Sequence, residues 1–262
     1  MAAWALAGAG FHFPFPRIFD RTMMATLLIA LIASAHELRL IELVSEGFAN
    51  LEGHRSEFAA GLAISLAVIA ILFALAALTG YGHLLLLPLL ARMAKYAFAA
   101  ILIGVIEEAF FRAFLLGGLR YRGNARVALI ASAGIYAFAH ILRSPAHIYL
   151  TGFHPWAGWQ NLALSASRLA HPLIVLPVLI GLFLLGIVLG QAFILTGRVY
   201  FSIGLHAGFV IGAKTWPIVV LHPPPRWLAG PGPVPLVAAP AAWVAAILIA
   251  LALPRILSQG TE

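Results

Sequence analysis

The segment Glu107-Glu108-Ala109-Phe110-Phe111-Arg112 lies inside a run that otherwise reads as membrane-spanning. Between Tyr96 and Leu119, Glu107, Glu108 and Arg112 are the only charged side chains. An ionisable group at membrane depth costs about 2.5–3.5 kcal/mol on insertion scales, and more when unpaired. A chain tolerates three such groups when they face the protein interior, pair with one another or do chemistry. Two adjacent carboxylates with an arginine four residues on can do all of these.

The rest of the chain agrees with a bilayer setting. It is 63% hydrophobic and 10% charged, with a mean hydropathy of +1.00, against about 25% charged for a soluble domain. The expected class is an all-α polytopic membrane protein. In a soluble protein a net charge of +7 would point to nucleic acid. Here most of the sixteen basic residues are scattered over short loops and read as positive-inside determinants, so no nucleic-acid partner is expected. There is no cysteine, which excludes disulfides, thiolate catalysis and Cys-ligated zinc. The N-terminus lacks a basic region followed by an apolar core and a small-residue cleavage site, so no cleaved signal peptide is expected.

A spanning helix needs about 20 mostly apolar residues. Candidates run from Met23 to Val44, Phe58 to Leu78, Tyr96 to Leu119, Val127 to Leu142, Pro172 to Leu195, Val199 to Leu221 and Leu236 to Leu257. His83 to Leu90 is too short to span alone and reads as a half-helix kinked at Pro88. The expectation is a single helical domain over 1–262 with about eight spans, in the range 7–8. In the longer loop 143–171, Trp156, Trp159, Leu162, Ala166 and Leu169 recur at helical spacing, which suggests an interfacial helix anchored by tryptophan. The loop from Pro223 to Pro235 carries six prolines and reads as a stiff connector. Arg120, Arg122 and Arg126 outweigh Arg92 and Lys95, which favours the end after Leu119 as cytoplasmic.

Glu108 and Arg112 are spaced i, i+4 and can pair on one helix face. Glu107 points about 100° away from Glu108, so it can face a cavity. His140 lies deep in an apolar helix with Tyr136 one turn earlier. His206 sits mid-span in Gly204-Leu205-His206-Ala207-Gly208, among small residues that permit close helix approach. A glutamate with two histidines can polarise and deprotonate water, with or without a metal. The zincin pattern His-Glu-x-x-His is absent. His12, His36, His54, His83, His147, His154, His171 and His222 fall at segment ends or in loops, where interface or solvent roles are the default. Ser132 and Ser202 lie in spans but outside any Gly-x-Ser-x-Gly context.

The Glu-Glu-x-x-x-Arg helix, the following aromatic-x-x-x-His and a later His in a Gly/Leu-rich span resemble the CPBP family, the CAAX-type prenyl endopeptidases and bacteriocin-processing relatives also called the ABI family. The resemblance covers roughly Ala91 to Thr215, which makes 91–215 the expected catalytic core. It implies an eight-helix intramembrane endopeptidase of the inner or plasma membrane, acting on a membrane-anchored protein or peptide. In that reading Glu107 activates water with His140, Glu108 and Arg112 support the site, and His206 completes it. The family is usually described as metalloprotease, which would place a divalent metal such as zinc on Glu107, His140 and His206; a metal-free, glutamate-activated water is the competing mechanism. Two positions depart from the family pattern. Tyr136 stands where phenylalanine is usual. Val210 stands where the family commonly has an asparagine to stabilise the oxyanion, so another donor, such as Tyr136 or Lys214, would have to serve.

Two other function classes fit parts of the sequence. A non-catalytic scaffold or immunity-type member would explain Val210. A proton-coupled transporter could use a Glu/His relay, but no inverted repeat or pair of broken helices is visible.

Overall fold

The computed structural model describes Thr22, Thr26 and residues 40–49, 52–82, 86–141, 155–220, 224–231 and 236–258. The regular structure is helical: α1 (Leu40–Gly47), α2 (Arg55–Leu78), α3 (Leu86–Glu108), a π-helical stretch (Ala109–Leu116), α4 (Gly117–Arg122), α5 (Ala125–Ile141), α6 (Ala157–Ser167), α7 (Pro172–Thr196), α8 (Tyr200–Val219), α9 (Arg226–Ala229) and α10 (Pro240–Ser258). Among the described residues the only β-type pairing is one bridge between Gly82 and Val220. Among the described residues three helical stretches are long and apolar enough to cross a membrane: Glu52–Leu78, Pro172–Thr196 and Pro240–Ser258. Ala125–Ile141 is apolar but shorter. Most of the expected span from Met23 to Val44 lies outside the described residues. So do His12, His36, His83, His147, His154, His222, the first part of the 143–171 loop and part of the proline-rich connector.

The chain forms two compact units, Met1–Ile41 with Phe138–Val175, and Glu42–Ala137 with Leu176–Glu262. In the first, α6 buries Ala157, Asn161 and Ser165, spaced i, i+4, i+8. Trp156, Trp159 and Leu162, members of the apolar stripe read from the sequence, are exposed instead. Such an arrangement, polar side inward and indoles outward, suits a helix whose surroundings are lipid or headgroups rather than water.

The second unit is built around α8, buried without a break from Tyr200 to Gly208. A helix buried all round needs neighbours on every side, and α8 packs against α2 and α3. The α2 contact is backbone on backbone. A Cβ at Gly204 would collide with the Phe58 carbonyl, and one at Gly61 with the Phe201 carbonyl. Between helices, apolar side chains gain little over lipid tails, so close approach through small residues supplies the packing. Gly204→Ala should therefore part α2 from α8, at the ~1–3 kcal/mol typical of overpacking. Thermal unfolding in detergent would read this as a lowered midpoint; an unchanged midpoint would mean that the contact does not hold the helices together.

The motif helix differs from its expected bounds. The half-helix and the span are one element: α3 starts at Leu86, and Pro88 falls in its first turn, where a missing N–H leaves no bond unmade. Arg92 and Lys95 are thus exposed positions within the helix rather than loop residues before it. At Glu108 the helix widens into the π form, whose bonds run i→i+5. In this wider turn Phe111, Arg112 and Ala113 are consecutive and all buried. Ser132 of α5 donates its hydroxyl to the Phe111 carbonyl at 3.1 Å, tying the π stretch to its neighbour.

Candidate active site

Glu108 and Arg112 are fully buried, and Arg112 Nε lies 3.2 Å from Glu108 Oε2. The contact is off hydrogen-bond geometry, so it acts as a charge pair. The other carboxylate oxygen, Glu108 Oε1, is 2.8 Å from His206 Nδ1. A carboxylate only accepts, so Nδ1 carries the proton in this bond. Glu108 is therefore held between a cation and an imidazole, and the remaining ring nitrogen of His206 is Nε2. That nitrogen lies 3.7 Å from Glu107 Oε2, beyond hydrogen-bond reach. Glu107 retains 24% side-chain exposure where Glu108 has none. The two adjacent carboxylates thus occupy different environments, the pattern that separates roles in acid–base sites.

Aromatic rings close the other side. The Arg112 guanidinium carbon stands 4.7 Å from the centre of the Tyr136 ring and 5.8 Å from that of Phe111. These cation–π contacts cover a cation whose terminal nitrogens have no hydrogen-bond acceptor among the described residues. Tyr136 is edge-on to Phe111 at 5.0 Å and to His206 at 6.3 Å. Five of the six residues singled out from the sequence, Glu107, Glu108, Arg112, Tyr136 and His206, thereby gather within one unit. His140 is half-buried in the last turn of α5, one turn after Tyr136, and belongs to the unit containing Phe138–Val175. Val210, one turn after His206, packs into an apolar cluster with Ala97, Ala100, Ala207 and Ile211. It offers no donor.

Sequence reading did not anticipate the π-helical turn or the hydroxyl of Ser132 as its tether. Of the other histidines, His54 pairs with Glu57 at 2.9 Å, far along the chain from the motif.

Residues 89–212 match the family model described as Type II CAAX prenyl endopeptidase Rce1-like. That stretch is similar to the CAAX-type endopeptidase family. It spans the motif helix, α5 and the half of α8 that carries His206 and Val210. The family is one of proteases, and three helical stretches among the described residues are long and apolar enough to cross a membrane, as an integral membrane protein requires. No curated protein and no solved structure matches the chain. Zinc in a catalytic site takes three protein ligands. Glu107 and His206 Nε2 of the CAAX-type core face each other as two donors. Among the described residues, however, no group of three His, Cys, Asp or Glu side chains is arranged to hold a metal.

Proposed function

We infer that the chain is an intramembrane endopeptidase with about eight spans, its catalytic core at 91–215, hydrolysing a peptide bond near the terminus of a membrane-anchored protein or peptide. The observation that carries this reading is the division of labour between Glu107 and Glu108: one carboxylate is locked to Arg112 and His206, and the other is partly open beside His206 Nε2. In the reaction, Glu107 accepts a proton as water attacks the scissile carbonyl carbon. The carbonyl oxygen takes the negative charge, and the proton passes from Glu107 to the departing amine. Glu108 fixes the His206 tautomer, so that Nε2 faces the reacting groups. His140 works with Glu107, a role carried over from the family resemblance. The family is one of CAAX prenyl endopeptidases, which points to substrates whose C-terminal Cys-a-a-X segment anchors in the bilayer through the prenyl group. That is the first substrate class to offer, in an inner or plasma membrane. Co-expression of a farnesylated CAAX-tailed reporter should yield a truncated product with wild type and none with Glu107→Ala. Intact reporter in both would sink this substrate.

Tyr136 is the proposed oxyanion donor in place of the missing asparagine. Loss of one such donor typically costs about 10²–10³ in rate. Tyr136→Phe should therefore lower turnover by about 10²-fold with little change in melting temperature, while Val210→Asn should be neutral or faster. Full turnover in Tyr136→Phe would remove the tyrosine from the mechanism and leave the peptidase standing.

The competing reading, a non-catalytic scaffold or immunity-type member, requires no turnover in wild type or in either variant. The metal-dependent form of the reaction, with zinc on Glu107, His140 and His206, is separated by chelation. Activity that survives EDTA and dialysis supports the glutamate-activated water, and activity restored only by added metal supports the other.

A further inference from the structure

Lys214 lies in α8, half-buried, with its ammonium 6.0 Å from the centre of the Tyr96 ring on α3. It is eight residues, about two turns, beyond His206 in α8 and about 80° around the axis from it, with Val210 midway. Tyr96 is three turns before Glu107 on the same face of α3. The two helices run antiparallel: Gly104 abuts Ile203 and Ala207, while Ala100 packs with Ala207 and Ile211. The seam between them therefore has the Glu107–His206 pair at one end and the Tyr96–Lys214 pair at the other. Val210 and Ile103 fall between. Lys214 also lies two residues past the end of the family-matched stretch.

A half-buried ammonium calls for an anion, and among the described residues none is paired with it. From Phe58 to Thr261 the only carboxylate side chains are Glu107 and Glu108. Glu108 is occupied by Arg112 and His206, and Glu107 is at the other end of the seam. The described glutamates before Phe58 include Glu57, which pairs with His54 and Arg198 at the opposite, Tyr200 end of α8. Among the described residues Lys214 has an aromatic neighbour and no counter-charge.

We propose that Lys214, steadied by Tyr96, receives the C-terminal carboxylate of the substrate and so measures the distance from the chain end to the scissile bond. This rests on the peptidase reading and extends it to substrate selection. Eight residues of helix at about 1.5 Å each separate His206 from Lys214 by roughly 12 Å. An extended peptide covers about 3.3–3.6 Å per residue, so the bond held at Glu107 lies about three to four residues from the carboxylate held at Lys214. Charge complementarity orients the substrate, since its terminal anion is repelled by Glu107 and drawn to Lys214. The ammonium is a specificity group and takes no part in bond making.

The test uses a fluorescent S-farnesylated peptide ending in Cys-Val-Ile-Ala, made with a free carboxylate or a carboxamide terminus, and full-length protein in phosphatidylcholine nanodiscs. Cleavage is followed with Glu107 intact, and binding by anisotropy in the Glu107→Gln background. The carboxylate form should be favoured about tenfold or more in both assays, the scale of a charge-assisted contact. Lys214→Gln should bring the ratio to about one, and Lys214→Arg should keep it. Equal handling of both peptides by wild type, or a preference that survives Lys214→Gln, overturns the proposal. A Lys214→Gln effect that appears only on adding phosphatidylglycerol, with the peptide ratio unmoved, also overturns it and assigns the lysine to a lipid headgroup. Cleavage without carboxylate preference sinks the lysine site and leaves the peptidase. Carboxylate-selective binding without cleavage does the reverse, and neither binding nor cleavage sinks both.

Discussion

Purified Glu107→Gln protein is expected to lose cleavage by roughly 10²–10⁴-fold, the range of a positioned general base, while melting at the wild-type temperature. Glutamine keeps the volume and hydrogen-bonding reach of the side chain but cannot take a proton from water. Stability should be spared because Glu107 is partly exposed, at 24%, and its charge is not the one held in the buried pair. The measurement is single-turnover cleavage alongside thermal unfolding of the same preparation. Unchanged cleavage would refute the base assignment. Lost cleavage with a collapsed melting curve would instead place Glu107 in the framework.

Arg112→Ala is expected to cause the largest loss of stability, about 3–5 kcal/mol, because it leaves the Glu108 carboxylate buried without its cation. Both side chains are almost wholly excluded from the surface, at 1% and 0%, so screening by solvent cannot rescue the orphan. The same change strips the guanidinium from the Tyr136 ring and opens a void in the π-helical turn. Expression and melting temperature should fall sharply. Glu108→Gln should fall less far: the amide oxygen can still accept from His206 Nδ1, and the orphaned guanidinium keeps its aromatic cover. Because the two groups share one interaction, the double variant should cost less than the sum of the singles. Strict additivity would mean that the pair is not coupled.

Much of the site was legible locally. Membrane class followed from the near absence of charge over long runs. The Glu108–Arg112 pair followed from i, i+4 spacing, and the different setting of Glu107 from the 100° step between neighbours. These are properties of a single helix, which the sequence determines through its own periodicity. The widening at Ala109–Leu116 was not visible, because a π turn has no short-range signature in Ala-Phe-Phe-Arg-Ala-Phe-Leu-Leu; its aromatic neighbours and the hydroxyl of Ser132 come from packing.

What the tertiary structure alone decided is how one helix is rotated against another. His206 is 98 residues from Glu108 in the chain, and nothing in either segment says which imidazole nitrogen meets which carboxylate. That choice is set where Gly61 and Gly204 let α2 and α8 touch through their backbones and where Gly104 admits α8 against α3. Once those contacts fix the rotation of α8, His206 faces the glutamates, Val210 turns into an apolar cluster and Lys214 comes over Tyr96. Residue types and their spacing along each helix were written in the sequence. The seam they share exists only because small residues at a few crossing points permit one close-packed arrangement.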